Sequence, residues 1–142
     1  MRRLMLFAFL VASPALADCG DTLTLSCNGA ANALTSSDCT SFDGTRYDTW
    51  TFNGTSGETV TMQMTSTAFD TFVALLDPSG FPVAQNDDTS STSTDSRVTF
   101  TLTATGTWTI VANALNAGGT GDYFVSLTCP SNTTGRRRAV GH

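Results

Sequence analysis

Asp70, Asn86, Asp87 and Asp88 are the residues of this chain best suited to hold a cation. Between them lies Asp77-Pro78-Ser79-Gly80, whose Pro and Gly suit a tight turn, with an apolar run over 72–76 before it and a returning strand over 81–85 after it. If Asp77 opposes Gly80, the hairpin puts Asp70 opposite Asp87, with Asn86 and Asp88 beside it. Carboxylates opposed across strands repel unless something screens or binds them. Calcium does so with roughly six to eight oxygens from carboxylates, amides and carbonyls. The four residues are therefore a candidate calcium site, which Asp95 or Asp48 would close from a neighbouring loop. The competing reading makes them turn residues, a position Asp and Asn occupy for backbone reasons.

Nothing in the sequence assembles a catalytic group, and no catalytic residue is expected. The only histidine, His142, is the last residue, so a Ser-His-Asp or Cys-His arrangement inside the domain is excluded. There is no lysine for a Schiff base, and the single glutamate, Glu58, follows a glycine turn where a surface charge is the simpler reading. Phe42 and Tyr47, in a loop-like stretch, and Phe124, on the opposite strand face from Tyr123 and Val125, could dock an apolar or sugar surface. Most aromatics of such a chain belong to its core.

The elements that must position these residues are strands. Apolar residues recur at period two: Trp50 and Phe52; Val60, Met62 and Met64; Val98, Phe100 and Leu102; Trp108, Ile110 and Ala112; Tyr123, Val125 and Leu127. Threonine, serine and glutamine fill the alternate positions, as half-buried antiparallel strands require. Phe72 to Leu76 is apolar on both faces and reads as a more central strand. Turn signals at Asn53-Gly54, Ser56-Gly57, Gly106 and Gly118-Gly119 separate the runs. The fold class expected is all-β, an antiparallel, jelly-roll-like β-sandwich of about seven or eight strands. One polar, acidic loop, 86–96, is longer than an ordinary hairpin connection.

The N-terminus sets the compartment. Arg2-Arg3, an apolar run from Leu4 to Ala12 and Ala15-Leu16-Ala17 form the layout of a secretory signal peptide over 1–17, too short to span a bilayer. The domain then covers 18–130, and 131–142 is a polar tail carrying Arg136-Arg137-Arg138, which we expect to be disordered. Secretion, or at least an extracytoplasmic location, follows, with no membrane span. Within 18–131 only Arg46 and Arg97 oppose all 12 acids, and such an excess of negative charge disfavours nucleic acid. The four cysteines, Cys19, Cys27, Cys39 and Cys129, are an even count in an exported chain and point to two disulfides rather than zinc. Of the three pairings, Cys27–Cys39 with Cys19–Cys129 is the one favoured here.

Asp48 to Leu127 resembles the bacterial pre-peptidase C-terminal domain. The matching pieces are Asp48-x-Trp50-x-Phe52, Gly57-Glu58-Thr59-Val60-Thr61, Phe69-Asp70-Thr71-Phe72-x-x-Leu75 and Asp77-Pro78-x-Gly80. Asn86-Asp87-Asp88, Gly106-x-Trp108-x-Ile110-x-Ala112 and Gly121-x-Tyr123 continue the match, and Leu34-Thr35-x-x-Asp38-Cys39 looks like the family's lead-in. The resemblance implies a sandwich that helps target, hold or mature a secreted peptidase, and relatives that bind collagen or other insoluble polymers with calcium assistance. In this sequence the signal peptide runs straight into the sandwich, so a stand-alone copy is expected. The expected function is a non-catalytic module that binds an extracellular polymer or a cell-surface partner. The alternative is an accessory exoprotein that assists a separate secreted peptidase.

Overall fold

A computed structural model describes residues 22–128, which form ten strands and no helix. The predicted signal peptide, Cys19, Cys129 and the arginine tail lie outside the described residues. The strands are β1 (Thr22–Thr24), β2 (Ala30–Leu34), β3 (Cys39–Thr40), β4 (Arg46–Gly54), β5 (Thr59–Thr65), β6 (Thr71–Leu76), β7 (Pro82–Asn86), β8 (Ser96–Thr101), β9 (Gly106–Ala114) and β10 (Gly121–Thr128). One sheet has the order β1-β4-β9-β6-β7, with β3 also paired to β4; the other has the order β2-β10-β5-β8.

Setting aside the short β1 and β3, the pairing is nested. β2 pairs with β10, β4 with β9, β5 with β8 and β6 with β7. That is one long antiparallel ribbon folded over so that its two halves face each other, which is a jelly roll. Two features escaped the sequence reading. The segment before β4 supplies three short strands that the alternation had not marked, and β1 lies parallel to β4, with Thr22 opposite Thr49. A three-residue strand carries too few side chains for a period-two signal to emerge.

The alternation seen in the sequence becomes the core. Trp50, Phe52, Val60, Met62, Met64, Val73, Leu75, Trp108, Ile110, Tyr123, Val125 and Leu127 are buried between the sheets. β6 is apolar on both faces because both faces are covered. Val73 and Leu75 join the main core, while Phe72, Ala74 and Leu76 join a smaller cluster with Cys39, Tyr47 and Val111. Tyr47 is thus a buried strand residue and not part of a loop, which corrects its placement among the exposed aromatics. The Asn53-Gly54 break is also displaced: both residues end β4, and Gly54 is buried there against Leu102 and Trp108.

The two sheets are tied by one polar network inside this apolar layer. Asp48, 1% exposed, accepts a hydrogen bond from the Tyr123 hydroxyl at 2.7 Å and from the Asn32 amide at 3.1 Å, both on Oδ2. The Trp50 indole N–H donates to the Tyr123 hydroxyl at 2.9 Å. Burial, then the hydrogen bond to Asp48 and its charge, push the Tyr123 phenol well above its ordinary value. Four side chains from β2, β4 and β10 are therefore linked by hydrogen bonds across the sandwich, all three bonds converging on Asp48 Oδ2 and the Tyr123 hydroxyl.

Candidate functional site

The hairpin that should place the acidic residues is real, but its register differs from the expectation. Gly80 N–H bonds the Asp77 carbonyl at 2.8 Å, and Asp77 N–H bonds the Phe81 carbonyl at 2.8 Å, so Asp77 closes against Phe81 rather than Gly80. A bulge between Leu75 and Leu76 then adds a further offset, and Val73 faces Asn86. The two shifts together move β7 by two residues, so Asp70, which precedes β6, does not oppose Asp87. The Asp77 carboxylate is a turn residue: its Oδ1 accepts from Ser79 N–H and Phe81 N–H. Glu58 has a similar role, its Oε1 accepting from Thr55 N–H at 2.6 Å.

The acidic residues nevertheless gather at one end of the sandwich. The Asp70 carboxyl is raised above its ordinary value by burial first, and then by the negative charges of Asp88 and Asp87. Its Oδ1 is buried and has no hydrogen-bond partner. Asp87 uses Oδ1 to accept from Asp88 N–H at 2.9 Å, and the Asn86 amide donates to the Arg97 carbonyl at 2.8 Å, toward β8. Asp48, one of the two residues expected to close the site, is instead engaged in the core. Among the described residues no three of His, Cys, Asp or Glu converge closely enough to form a ready metal centre. The carboxylates sense one another without meeting at a point.

What holds this end together is a pair of buried hydroxyls. Thr71 Oγ1 lies 2.6 Å from Ser96 Oγ, which donates to the Asp87 carbonyl at 2.6 Å. Thr71 N–H bonds the Thr94 carbonyl at 3.1 Å, and Thr89 N–H bonds the Asp95 carbonyl at 2.7 Å. The long acidic loop is therefore strapped to the first residue of β6 at one end and closed on itself at the other. Between this loop and the β5–β6 connection runs an open cleft of about 540 Å³, lined by Ser66, Thr67, Ala68 and Phe69 on one side and 92–95 on the other. Hydroxyls dominate its walls, with the Asp95 carboxylate and the half-buried Phe69 ring, which packs edge-on against Tyr123 at 6.4 Å. Sequence reading did not find the cleft, because its hydroxyls come from two polar loops whose proximity no pattern encodes.

The profile of the bacterial pre-peptidase C-terminal domain matches residues 46–114, from the first residue of β4 to the last of β9. Residues 46–114 belong to that family. Among solved structures, the pre-peptidase C-terminal domain of collagenase from Bacillus anthracis is similar, at 16% identity and a TM-score of 0.56, covering 77% of this chain and 96% of that one. The periplasmic inhibitor of g-type lysozyme PliG from Aeromonas hydrophila is also similar, at 16% identity and a TM-score of 0.50, covering 75% of this chain and 96% of that one. At such identities the likeness is one of fold. Among curated proteins none matches in sequence. The matched span contains both walls of the cleft and the carboxylates Asp70, Asp87 and Asp88, but not β2 or β10, which complete the jelly roll. Asp48 and Trp50 of the family-like Asp-x-Trp-x-Phe stretch prove to be core ties to Tyr123, which lies beyond that span.

Among the described residues four large apolar side chains stand in solvent: Phe42 (87% exposed), Phe81 (64%), Phe124 (42%) and Val83 (37%). Phe42 and Phe124 were expected there. Phe81, in the turn before β7, was not, because the hairpin reading gave it to a strand. The three phenylalanines lie on different elements, a β3–β4 loop, a β6–β7 turn and β10.

Proposed function

We propose that the protein is an exported, non-catalytic binding module that attaches to an extracellular polymer or a cell-surface partner through the loop end of its sandwich. The observation supporting this is the cleft between the β5–β6 connection and the strapped acidic loop, bordered by carboxylates that the fold leaves incompletely compensated. A jelly roll is rigid, and binding residues on loops held by a rigid scaffold are a common arrangement. Hydroxyl groups, one carboxylate and an aromatic ring suit a polar, uncharged or weakly basic surface better than a polyanion.

Calcium fits the same end as a stabiliser. Asp70, with its orphaned Oδ1, and Asp87 and Asp88 would supply carboxylate oxygens, and Asn86 an amide carbonyl oxygen, since its nitrogen is already engaged. Reorientation of the Asp87 and Asp88 side chains toward Asp70 is required. The ion would neutralise the repulsion that raises the Asp70 carboxyl.

Binding of the processed domain to insoluble collagen, chitin, cellulose and bacterial cell envelope tests the proposal, with Phe69→Ala and Asp95→Asn as site variants. Retention on one of these polymers is expected, reduced in both variants; Asp95→Asn should leave the melting midpoint unchanged, whereas Phe69→Ala also loses packing on Tyr123 and is compared at a temperature well below its own midpoint. No retention on any of the four refutes polymer attachment. The alternative, an accessory role toward a separately encoded secreted peptidase, draws on the family and on the protein partner named for the PliG neighbour. Co-secretion that raises the yield of an active peptidase would favour it over polymer binding.

A further inference from the structure

The cleft between the β5–β6 connection and residues 92–95 has both walls fixed and three polar groups left over. On one wall Ser66 Oγ donates to the Asp122 carbonyl at 2.6 Å and accepts from Ala68 N–H at 3.0 Å, so that hydroxyl is spent on its own turn. The start of β10 closes in behind it: a Cβ on Gly121 would lie 2.4 Å from Ala68 Cβ. On the other wall the Thr94 carbonyl accepts from Thr71 N–H at 3.1 Å, and Ser93 Oγ accepts from Asp95 N–H at 3.1 Å. Thr67 Oγ1, Thr94 Oγ1 and the Asp95 carboxylate make no hydrogen bond or ion pair with any other described residue. Asp95 is half-buried, so its charge is partly withdrawn from water with no counterion among those residues.

We infer that the cleft takes a polysaccharide of amino sugars whose amines are free rather than acetylated; this rests on the loop end being the binding face. Each part of the cleft meets one part of such a chain. The Phe69 ring offers an apolar surface to the C–H face of a pyranose. The Thr67 and Thr94 hydroxyls donate to and accept from sugar hydroxyls. Asp95 accepts from the ammonium in a charge-assisted bond. Walls already braced by their own hydrogen bonds lose little freedom when the chain docks. The surrounding charge selects the same ligand. Asp70, Asp87, Asp88 and Asp122 stand at this end, whereas Glu58 and Asp77 stand at the other. Arg46 is held by the Asp38 carbonyl and Thr40, and Arg97 by Gln63. Such a field draws in a polycation and repels a polyanion. A neutral glycan would leave Asp95 unpaired, and a basic peptide would leave the two threonine hydroxyls with few partners. At about 540 Å³ the cleft falls within the roughly 300–1,000 Å³ of ligand sites, and being open it lets a chain run through.

Isothermal titration of the exported protein at low salt compares four soluble probes: the hexasaccharide of glucosamine, the same chain fully N-acetylated, cellohexaose and hexalysine. The glucosamine chain is expected to bind at least about tenfold more tightly than the other three, and added salt should weaken it. Asp95→Asn should bring it to within about twofold of the acetylated chain. That variant keeps the backbone bond to Ser93, and its melting midpoint checks that it folds. Equal affinity for the three glycans, hexalysine binding as tightly as the glucosamine chain, or a preference that survives Asp95→Asn overturns the inference. Absence of binding to all four probes overturns it as well. Retention of the same protein on collagen, cellulose or cell envelope would then leave polymer attachment standing, so the two failures are told apart.

Discussion

Tyr123→Phe tests whether the buried polar network is what ties the two sheets. The substitution removes one oxygen and almost no volume, so the packing of β10 against the core is kept. It deletes the hydrogen bond to Asp48 Oδ2 at 2.7 Å and the acceptor of the Trp50 indole N–H at 2.9 Å. A hydrogen bond to a carboxylate contributes about 1.5–3 kcal/mol, and a buried donor left without a partner costs about 1–3 kcal/mol. Asp48 keeps its bond from Asn32, which lowers the sum, and we expect a loss of about 3 kcal/mol. For a domain of this length each kcal/mol moves the melting midpoint by about 4 °C, so the midpoint should fall by roughly 12 °C.

Urea unfolding of wild type and variant measures the loss directly. The slope with denaturant should stay constant, because the surface exposed on unfolding is unchanged. A cycle with Asn32→Ala reads the coupling through their shared acceptor, expected to be on the order of 1 kcal/mol or more for groups in one network. A loss below about 1 kcal/mol for Tyr123→Phe, together with strict additivity in the cycle, would falsify the claim that this network joins the sheets.

Three further outcomes follow from the same geometry. Because the Tyr123 phenol is raised in the folded state, its stabilisation is complete below the unfolded value of about 10 and is lost as pH climbs above it; Tyr123 alone should lower the unfolding free energy by about 1.4 kcal/mol per pH unit there, and Tyr123→Phe should reduce the slope by that share, leaving what Tyr47, also raised by burial, contributes. The Asp70 carboxyl is also raised, so its contribution is full in acid and disappears as pH rises through the folded value; Asp70→Asn should therefore raise the melting midpoint at neutral pH in chelator and abolish any rise on adding millimolar calcium to wild type, and a calcium shift that survives the substitution excludes Asp70 as a ligand. Gly29 has φ of 108° and no room for a Cβ against the Val125 carbonyl, so Gly29→Ala should cost about 2–3 kcal/mol by denaturant unfolding, and a loss under about 0.5 kcal/mol would show that the β1–β2 turn is not fixed on β10.

The sequence carried the sandwich because the sandwich is made of alternation. Every long strand with one apolar face was visible at period two, and β6 was visible as the exception that fills two clusters. Short strands were not visible, since two or three residues in β3 and β1 cannot display a period. Register was the harder quantity. A turn residue more than expected and a single bulge after Leu75 were enough to separate Asp70 from Asp87, and neither leaves a mark on composition. The same limit holds for the cysteines: an even count predicts two bonds but does not say which pairs meet. The residues that look most like a functional signature, Asp48 and Trp50, hold the sheets, whereas the cleft is lined by serines and threonines of two unremarkable loops. In this fold the recognisable residues mark the scaffold, and a search for the binding surface belongs at the loop end that the scaffold presents.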